Sequence, residues 1–234
     1  MSRGLGDVYK RQVQILMASK LVFELSKIST TFENILELGS GTGVLTKQIA
    51  KELNFSNYFA NDLVEKSKHY VKKFIPKSTF FCGNALKIKP PKKVDLIISN
   101  AMFQWFPSLE KAIQTISSNL KTDGILAFST FAPENFKEIT NLTGLSLKYL
   151  TEKEIEEVLK NQGFEILYIE QFYEELKFKT PLELLAHMKK TGVNSLSEKT
   201  WTIAKVKDFC DKYSKKYPEN KLTYSPIIII AKKK

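Results

Sequence analysis

The sequence is poor in cysteine and histidine, and this shortage excludes two common classes of site. It contains two cysteines and two histidines among 234 residues. Cys82 and Cys210 lie far apart, with no Cys-x-x-Cys spacing, so the sequence predicts neither a disulfide framework nor a metal site. Such sparse cysteine usage is typical of a protein of the reducing cytoplasm.

Long apolar runs are missing as well. An uninterrupted apolar stretch such as residues 227–231 falls far short of the roughly 20 residues that a membrane-spanning helix needs. We therefore expect a soluble protein without a membrane partner. The chain is long enough for one large α/β domain, or for one such domain with a helical insertion.

Arginine is nearly absent, and its distribution is uneven. Arg3 and Arg11 both lie within the first 12 residues, and after them lysine replaces arginine throughout the chain. This change of composition predicts that residues 1–12 are a non-native leader. The fold is then expected to be a single domain of residues 13–234.

Lysine nevertheless gives the chain a strong positive balance. Its 36 Lys and Arg outnumber 25 Asp and Glu, which makes the net charge +11. Such a charge attracts nucleic acid, anionic lipid or an acidic protein partner. No nucleic-acid motif accompanies it, and the only basic tail is the short Ala-Lys-Lys-Lys at 231–234, so the sequence does not favour nucleic acid. A coding bias toward AT-rich codons is an alternative explanation for the lysines.

Short apolar runs alternate with stretches of helical periodicity along most of the chain. The runs predict strands at residues 34–38, 57–61, 79–82, 94–99, 124–130, 164–175 and 222–233. Helical stretches of roughly 10 to 15 residues between strands are typical of βαβ units. We therefore predict an α/β fold with a seven-stranded, mostly parallel sheet flanked by helices.

The last third of the chain departs from this alternation. Thr151 and Glu154 have the Thr-x-x-Glu pattern of a capping box and predict a helix start. Two helical stretches at about residues 180–217 then predict a helical insertion before the last strand. Pro226 lies near the start of that strand and predicts an edge position or a bulge.

The segment Glu-Leu-Gly-Ser-Gly-Thr-Gly joins the first predicted strand to the next helix. Its glycines, Gly39, Gly41 and Gly43, allow a tight turn and bring backbone N–H groups close to a ligand. Asp62 ends the second strand 19 residues after Gly43, where an acid can accept hydrogen bonds from ribose hydroxyls. The pattern indicates a nucleotide-like ligand. Glu37 would repel a pyrophosphate, whereas it would tolerate a cationic sulfonium ligand.

These residues resemble motif I of the class I methyltransferases that use S-adenosylmethionine, with its (Asp/Glu)-x-Gly-x-Gly-x-Gly pattern. The resemblance implies a Rossmann-like fold in which the glycine loop lies under the ribose and methionine portions and Asp62 binds the ribose diol. Asn84 and Ala85 follow the third strand, where the family holds the adenine. The family usually has Asp at the first of these positions, so Asn84 is a departure from the pattern.

A second set of segments is similar to a narrower family, the malonyl-carrier-protein O-methyltransferases of biotin synthesis. The matching segments are Ser-Asn-Ala-Met-Phe-Gln-Trp at 99–105, residues 129–139, residues 187–195 and Leu-Thr-Tyr at 222–224. The resemblance covers about residues 13–234. It implies that the segment after the fourth strand lies at the methyl end of the cofactor, so Asn100, Gln104 and Trp105 are candidates for the substrate pocket. Asn100 is a candidate for the cofactor site too.

The narrower resemblance implies methyl transfer to the free carboxylate of a malonyl group carried on acyl carrier protein. Carrier proteins of this class are acidic, which would give the positive charge a partner. His187, Lys190 and Tyr224 lie in matching segments and become candidates for binding the malonyl carboxylate, although His187 fits a structural role better. Two other acceptors remain open, a different small molecule and a tRNA carboxylate. A further alternative is that the chain is a non-catalytic S-adenosylmethionine-binding protein.

Overall fold

The structure is a computed structural model, and it describes residues 12–190 and 201–234. In chain order the helices and strands are α1 (Gln12–Ser26), β1 (Thr31–Leu38), α2 (Val44–Glu52), β2 (Asn54–Asp62), α3 (Ser67–Phe74), β3 (Thr79–Cys82), β4 (Val94–Asn100), α4 (Leu109–Ile116), β5 (Leu120–Phe131), α5 (Lys137–Thr143), α6 (Glu152–Asn161), β6 (Phe164–Gln171), β7 (Glu174–Lys177), α7 (Pro181–Lys190), α8 (Ile203–Lys216), β8 (Lys221–Tyr224) and β9 (Pro226–Lys233). Short 3-10 turns occur at Ala85–Lys87, Phe103–Trp105 and Ser117–Asn119. None of the helices described is long and apolar enough to cross a membrane.

The described residues group into two compact units. The larger unit comprises residues 14–130, 150–171 and 227–234, and the smaller one includes residues 131–149 and 172–226. The main sheet belongs to the larger unit.

Seven strands form this sheet in the order β3-β2-β1-β4-β5-β9-β6. The strands from β3 to β5 pair in parallel, and β9 pairs antiparallel with β6. The predicted α/β fold with a seven-stranded, mostly parallel sheet is therefore confirmed. The strand order reverses between β1 and β4, and ligands of such sheets bind in the crevice at the carboxyl ends beside this reversal.

The middle of the sheet is apolar on both faces. Consecutive residues of β1 and β4, such as Ile35 with Leu36 and Leu96 with Ile97, are fully buried. Because neighbouring side chains on a strand point to opposite faces, helices must cover both sides of these strands. This is why the two strands appear in the sequence as continuous apolar runs rather than as an alternating pattern.

Two predicted strands are each divided in the structure. The predicted strand at 164–175 ends at Gln171, and β7 begins at Glu174. The predicted strand at 222–233 is interrupted at Ser225, so that β8 pairs with β7 in a two-stranded sheet while β9 enters the main sheet. Pro226 has no N–H to donate, which favours an interruption of the ladder at this point.

The edge position expected for Pro226 is wrong. β9 lies between β5 and β6, inside the sheet. Pro226 is the first residue of that strand, and its carbonyl accepts a hydrogen bond from Phe172 N over 3.0 Å. A proline is tolerated in an internal strand when it is the first residue, where the missing donor leaves most of the ladder intact.

The smaller unit contains helices α5, α7 and α8 together with the β7–β8 sheet. The helical stretches expected near residues 180–217 correspond to α7 and α8. The β7–β8 pairing was missed because 43 residues separate its two strands of four residues, far more than the short turn that marks a hairpin in a sequence.

Candidate cofactor and substrate site

The loop between β1 and α2 requires glycine at three positions. The backbone φ angles of Gly39, Gly41 and Gly43 are +69°, +52° and +74°. Residues other than glycine adopt such positive values only with strain. Gly39 also lacks room for a side chain, since a Cβ atom there would lie 2.7 Å from Met102 Cγ. The segment after β4 therefore packs directly against the glycine loop.

Asp62 lies at the end of β2 and stabilises the same loop through a hydrogen bond. Its Oδ2 accepts a hydrogen bond from Gly41 N over 2.7 Å, and its Oδ1 accepts one from Val64 N over 2.9 Å. A carboxylate has roughly four lone-pair sites, so two remain for hydroxyl donors of a ligand. Asp62 can thus fix the glycine loop and bind a diol at the same time.

Glu37 is a buried acid beneath the loop. Its Oε2 accepts hydrogen bonds from Tyr58 Oη over 2.6 Å and from Thr46 Oγ1 over 2.7 Å. Burial raises the pKa of Glu37 to about 7; the nearby Asp62 charge adds to the rise, and the two hydroxyl donors oppose it. Tyr58 and Thr46 could not be recognised as partners of Glu37 from the sequence, because they lie on β2 and α2 whereas Glu37 lies on β1.

Three buried polar atoms at the carboxyl ends of β1 and β4 have no hydrogen-bond partner within the described part of the chain. They are Glu37 Oε1, Ser40 Oγ and Gln104 Oε1. The amide nitrogen of Gln104, in contrast, donates to Ala101 O over 2.7 Å. An unsatisfied buried polar atom costs about 1–3 kcal/mol, so three of them together indicate a site that a ligand with donor groups completes.

The candidate adenine residues lie after β3. Asn84 Oδ1 accepts a hydrogen bond from Leu86 N over 2.9 Å and caps the turn that begins at Ala85. The Asn84 side chain is exposed, and its amide N–H groups point to no partner that the described residues provide. The residue therefore shapes the turn through its oxygen and leaves its amide N–H groups exposed.

Asn100 connects three elements of the larger unit. Its Nδ2 donates to Gln14 O of α1 over 3.0 Å, and its Oδ1 accepts from Ser129 Oγ of β5 over 2.7 Å. Ser129 Oγ also accepts from Ala101 N over 3.0 Å. Asn100 thus holds the start of α1 at the carboxyl edge of the sheet, a role that the sequence did not indicate because Gln14 is 86 positions away.

The three residues of the Phe103–Trp105 turn have different surroundings. Phe103 is buried and stacks on Phe128, with ring centroids 4.1 Å apart. Trp105 is 43% exposed, although it is a large apolar side chain. The stacked phenylalanines anchor the turn, and the indole of Trp105 is left available to contact a ligand.

Comparisons with known proteins identify the family. A family model described as a methyltransferase domain matches residues 9–169. The malonyl-[acyl-carrier protein] O-methyltransferase of Calditerrivibrio nitroreducens is 37% identical over 224 residues, which cover 94% of this chain and 89% of the relative. The chain belongs to the malonyl-[acyl-carrier protein] O-methyltransferase family.

Two further comparisons agree with this membership. The family member of Bacteroides thetaiotaomicron is 35% identical over 97% of this chain and 94% of its own length. A solved S-adenosylmethionine-dependent methyltransferase from Clostridium acetobutylicum gives a TM-score of 0.60 at 15% identity, over 98% of this chain and 97% of that one. At this identity the structural likeness supports the fold alone, and it confirms the Rossmann-like methyltransferase architecture.

The smaller unit of this methyltransferase has a buried polar cluster of its own. His187 Nε2 and Tyr224 Oη lie 2.6 Å apart, and both side chains are buried. Asn135 donates from its amide to Tyr149 Oη over 3.0 Å and accepts from Ser225 N over 3.2 Å. Burial lowers the pKa of His187, so its imidazole is held neutral at physiological pH.

Tyr224 and Lys190 are the two remaining candidates from the sequence, and the structure describes the side chain of Tyr224 alone. Tyr224 lies in this cluster, and its ring contacts Phe136 with centroids 4.7 Å apart. Lys190 ends α7, and its side chain lies outside the described part of the structure. No group of three or more His, Cys, Asp or Glu side chains among the described residues could hold a metal ion.

Proposed function

We propose that this methyltransferase transfers the methyl group of S-adenosylmethionine to the free carboxylate of a malonyl group on acyl carrier protein, as an early step of biotin synthesis. The observation that carries the proposal is the identity of 37% with a curated malonyl-[acyl-carrier protein] O-methyltransferase over nearly the whole chain. The geometry at the carboxyl ends of β1 and β4 agrees with it.

The proposed cofactor site is built from residues that present acceptors. Adenosylmethionine carries a sulfonium charge, an ammonium group and two ribose hydroxyls, and when bound it would supply the electrophilic methyl group. Asp62 would accept from the ribose diol, because both of its oxygens keep lone pairs. Glu37 Oε1 and Ser40 Oγ, both buried and without partners among the described residues, would accept from the methionine portion. Gly39, Gly41 and Gly43 would allow the backbone to approach it.

The proposed positions of the adenine and the acceptor follow from the other two loops. Asn84 and Ala85 begin the turn after β3 and would lie beside the adenine. Asn100 ends β4, the strand next to β1, and Gln104 and Trp105 follow it; all three would border the methyl group. In this arrangement Asn100 acts by holding its neighbours in place, and the exposed Trp105 forms a wall of the pocket.

The proposed acceptor makes few chemical demands on the protein. A carboxyl group with an ordinary pKa near 4 is ionised at neutral pH, so the transfer needs no side chain to remove a proton. Catalysis would come from alignment of the carboxylate oxygen with the methyl group and from exclusion of water. Tyr224 and Lys190 stay candidates for binding the malonyl carboxylate, since a phenol and an ammonium are both suitable donors.

The test is incubation with labelled adenosylmethionine and malonyl-carrier protein. We expect label on the malonyl group, sensitive to ester hydrolysis. Acetyl-carrier protein, which lacks the free carboxylate, and bulk tRNA serve as controls. Label on tRNA, or label that does not depend on the malonyl carboxylate, would reject the proposed acceptor.

A further inference from the structure

One part of the larger unit carries a charge of a single sign. Residues 66–93 contain nine lysines and neither Asp nor Glu. We call these lysines the lysine segment: Lys66, Lys68, Lys72, Lys73, Lys77, Lys87, Lys89, Lys92 and Lys93. Helix α6 (Glu152–Asn161), in the same unit, has four glutamates and two lysines. The positive charge of the chain is therefore concentrated and does not reflect a uniform excess of lysine.

Most of the lysine segment is free of intramolecular pairing. Only Lys68 has a carboxylate within reach, with 3.5 Å between its Nζ and Glu65 Oε1, and Lys72 donates instead to the carbonyls of Pro76 and Ser78. The other seven make no ion pair with any described residue. All seven are exposed. Elsewhere in this unit, exposed lysines such as Lys160 do pair with acids.

The first lysines of the segment lie close to the cofactor acid. Lys66 and Lys68 follow the carboxyl end of β2, and Lys87 follows the carboxyl end of β3. The last residues of these strands, Asp62 and Cys82, are paired in register. These three lysines therefore flank the carboxyl edge of the sheet, which is the edge where the glycine loop and Asp62 lie.

Two exposed apolar residues lie between Asp62 and Lys66 in the sequence. Leu63 is 74% exposed and Val64 is 58% exposed. Exposed apolar side chains surrounded by charged ones are typical of interaction surfaces, in which apolar contacts lie at the centre and polar groups at the rim. Unpaired lysines around such a centre favour a partner that presents carboxylates, because complementary charge raises the rate of encounter and fixes the orientation.

We propose that Lys66, Lys68 and Lys87 of the lysine segment, together with Leu63 and Val64, form the surface on which the acyl carrier protein docks through its acidic face. This inference rests on the proposed function, which requires a carrier protein to bring the malonyl group to the carboxyl edge of the sheet. The same surface gives the enzyme a means to prefer a carrier-bound malonyl group over a free malonyl thioester.

The experiment compares two triple variants of equal charge. K66E/K68E/K87E reverses three lysines of the segment, and K153E/K160E/K234E reverses three exposed lysines outside it. Circular dichroism and thermal unfolding establish that both variants are folded. Initial rates are measured with malonyl-carrier protein, with malonyl-coenzyme A, and with the malonyl thioester of N-acetylcysteamine, which carries no carrier and no phosphate.

For the segment variant we expect KM for malonyl-carrier protein to rise roughly tenfold at low ionic strength, with kcat unchanged. The increase should shrink as the Debye length falls from about 30 Å at 0.01 M salt to about 8 Å at 0.15 M. The control variant should keep KM within about twofold, because its lysines are distant from the docking surface in the sequence and one of them, Lys160, pairs with Glu156 of α6. Neither variant should change KM for the N-acetylcysteamine substrate.

Three results would overturn the docking proposal. They are equal increases of KM in the two variants, a loss that the N-acetylcysteamine substrate shares, and an equal loss with malonyl-coenzyme A, which would show that the lysines bind phosphate. A wild-type enzyme inactive on every malonyl thioester would reject the proposed function instead. In that case calorimetric titration of holo-carrier protein into the two variants decides the docking proposal separately: equal affinities contradict it, and weaker binding by the segment variant alone supports it.

Discussion

The hydroxyl group of Tyr58 donates a hydrogen bond to Glu37 Oε2 over 2.6 Å in the interior of the larger unit. Thr46 donates to the same oxygen. Two hydroxyl donors stabilise the ionised carboxylate without neutralising it, whereas burial opposes ionisation more strongly and raises the pKa to about 7. The acid at the base of the glycine loop is therefore divided between its two protonation states at neutral pH.

The raised pKa of Glu37 predicts how the stability of the protein depends on pH. A carboxyl group whose pKa is higher in the folded state binds its proton more tightly there, so it favours folding below the unfolded value of 4.5, and this contribution is lost as pH rises through about 7. At 1.36 kcal/mol per unit the loss is about 3 kcal/mol. Glu37→Gln removes this pH-dependent contribution. The difference in free energy of unfolding, variant minus wild type, should therefore rise between pH 4.5 and 8. A constant difference over this range, measured by urea denaturation, would contradict the prediction.

The glycine loop yields a prediction about two neighbouring glycines. Gly39→Ala introduces a backbone strain of about 1–2 kcal/mol and a clash with Met102, whereas Gly41→Ala introduces the strain alone, because the nearest atom is 4.0 Å away. We therefore expect the Gly39 variant to be clearly less stable than the Gly41 variant in urea unfolding. Adding Met102→Ala should recover part of the loss for Gly39 and none for Gly41. Equal losses in the two single variants would show that Met102 moves aside freely.

We predict that the side chain of Asn100 stabilises helix α1 through its hydrogen bond to Gln14 O. Asn100→Asp keeps an acceptor for Ser129 but places a carboxylate oxygen against Gln14 O, so the variant should be less stable by about 2 kcal/mol. Hydrogen exchange of the α1 amides should become faster in this variant. Ser129→Ala, the matched control, leaves the bond to Gln14 in place and should leave exchange in α1 close to that of wild type. Unchanged exchange in Asn100→Asp would exclude the proposed connection.

Substitution of Trp105 should lower activity with little effect on stability, whereas substitution of Phe103 should lower stability. Trp105 is 43% exposed, so Trp105→Ala should change the free energy of unfolding by less than about 1 kcal/mol while methyl transfer falls at least about tenfold. Phe103 is buried against Phe128, so Phe103→Ala should destabilise the protein by about 3–5 kcal/mol. Trp105→Phe should restore part of the activity. Full activity in Trp105→Ala would remove this residue from the pocket.

The smaller unit should be sensitive to acid through His187. Burial lowers the pKa of this imidazole in the folded state, so its contribution to stability is present above the unfolded value of 6.5 and is lost as pH falls below it. His187→Gln should flatten the decrease in thermal stability below pH 6.5. Tyr224→Phe removes the hydroxyl partner but leaves the imidazole buried, so the decrease should persist in that variant. An unchanged acid profile in His187→Gln would assign the decrease to other groups.

The parts of this protein that the sequence predicted are those determined by local pattern. The glycine loop and the start of α6 at Thr151 each depend on residues within a few positions of one another, and the capping box of Thr151 and Glu154 is present as expected. The strands at the centre of the sheet were recognised because both of their faces are buried, which leaves an unbroken apolar run in the sequence.

The parts that the sequence did not predict depend on contacts between distant segments. Glu37 acquires its raised pKa from burial in an environment that also includes Tyr58 on β2, and periodicity does not indicate which polar side chain of one strand meets which of another. The bond from Asn100 to Gln14 is a similar case. The separation of β8 from β9 follows from the pairing partners of each strand, which Pro226 alone does not specify.

The internal position of β9 has a consequence for synthesis of the chain. β9 lies between β5 and β6, yet it is translated after both of them and after all of the smaller unit. Until residues 226–233 leave the ribosome, β5 and β6 each present an unpaired edge, which can pair with other chains. The main sheet is therefore completed only after β9 has been translated, and a nascent chain that pauses between β6 and β9 carries these unpaired edges for the length of the pause.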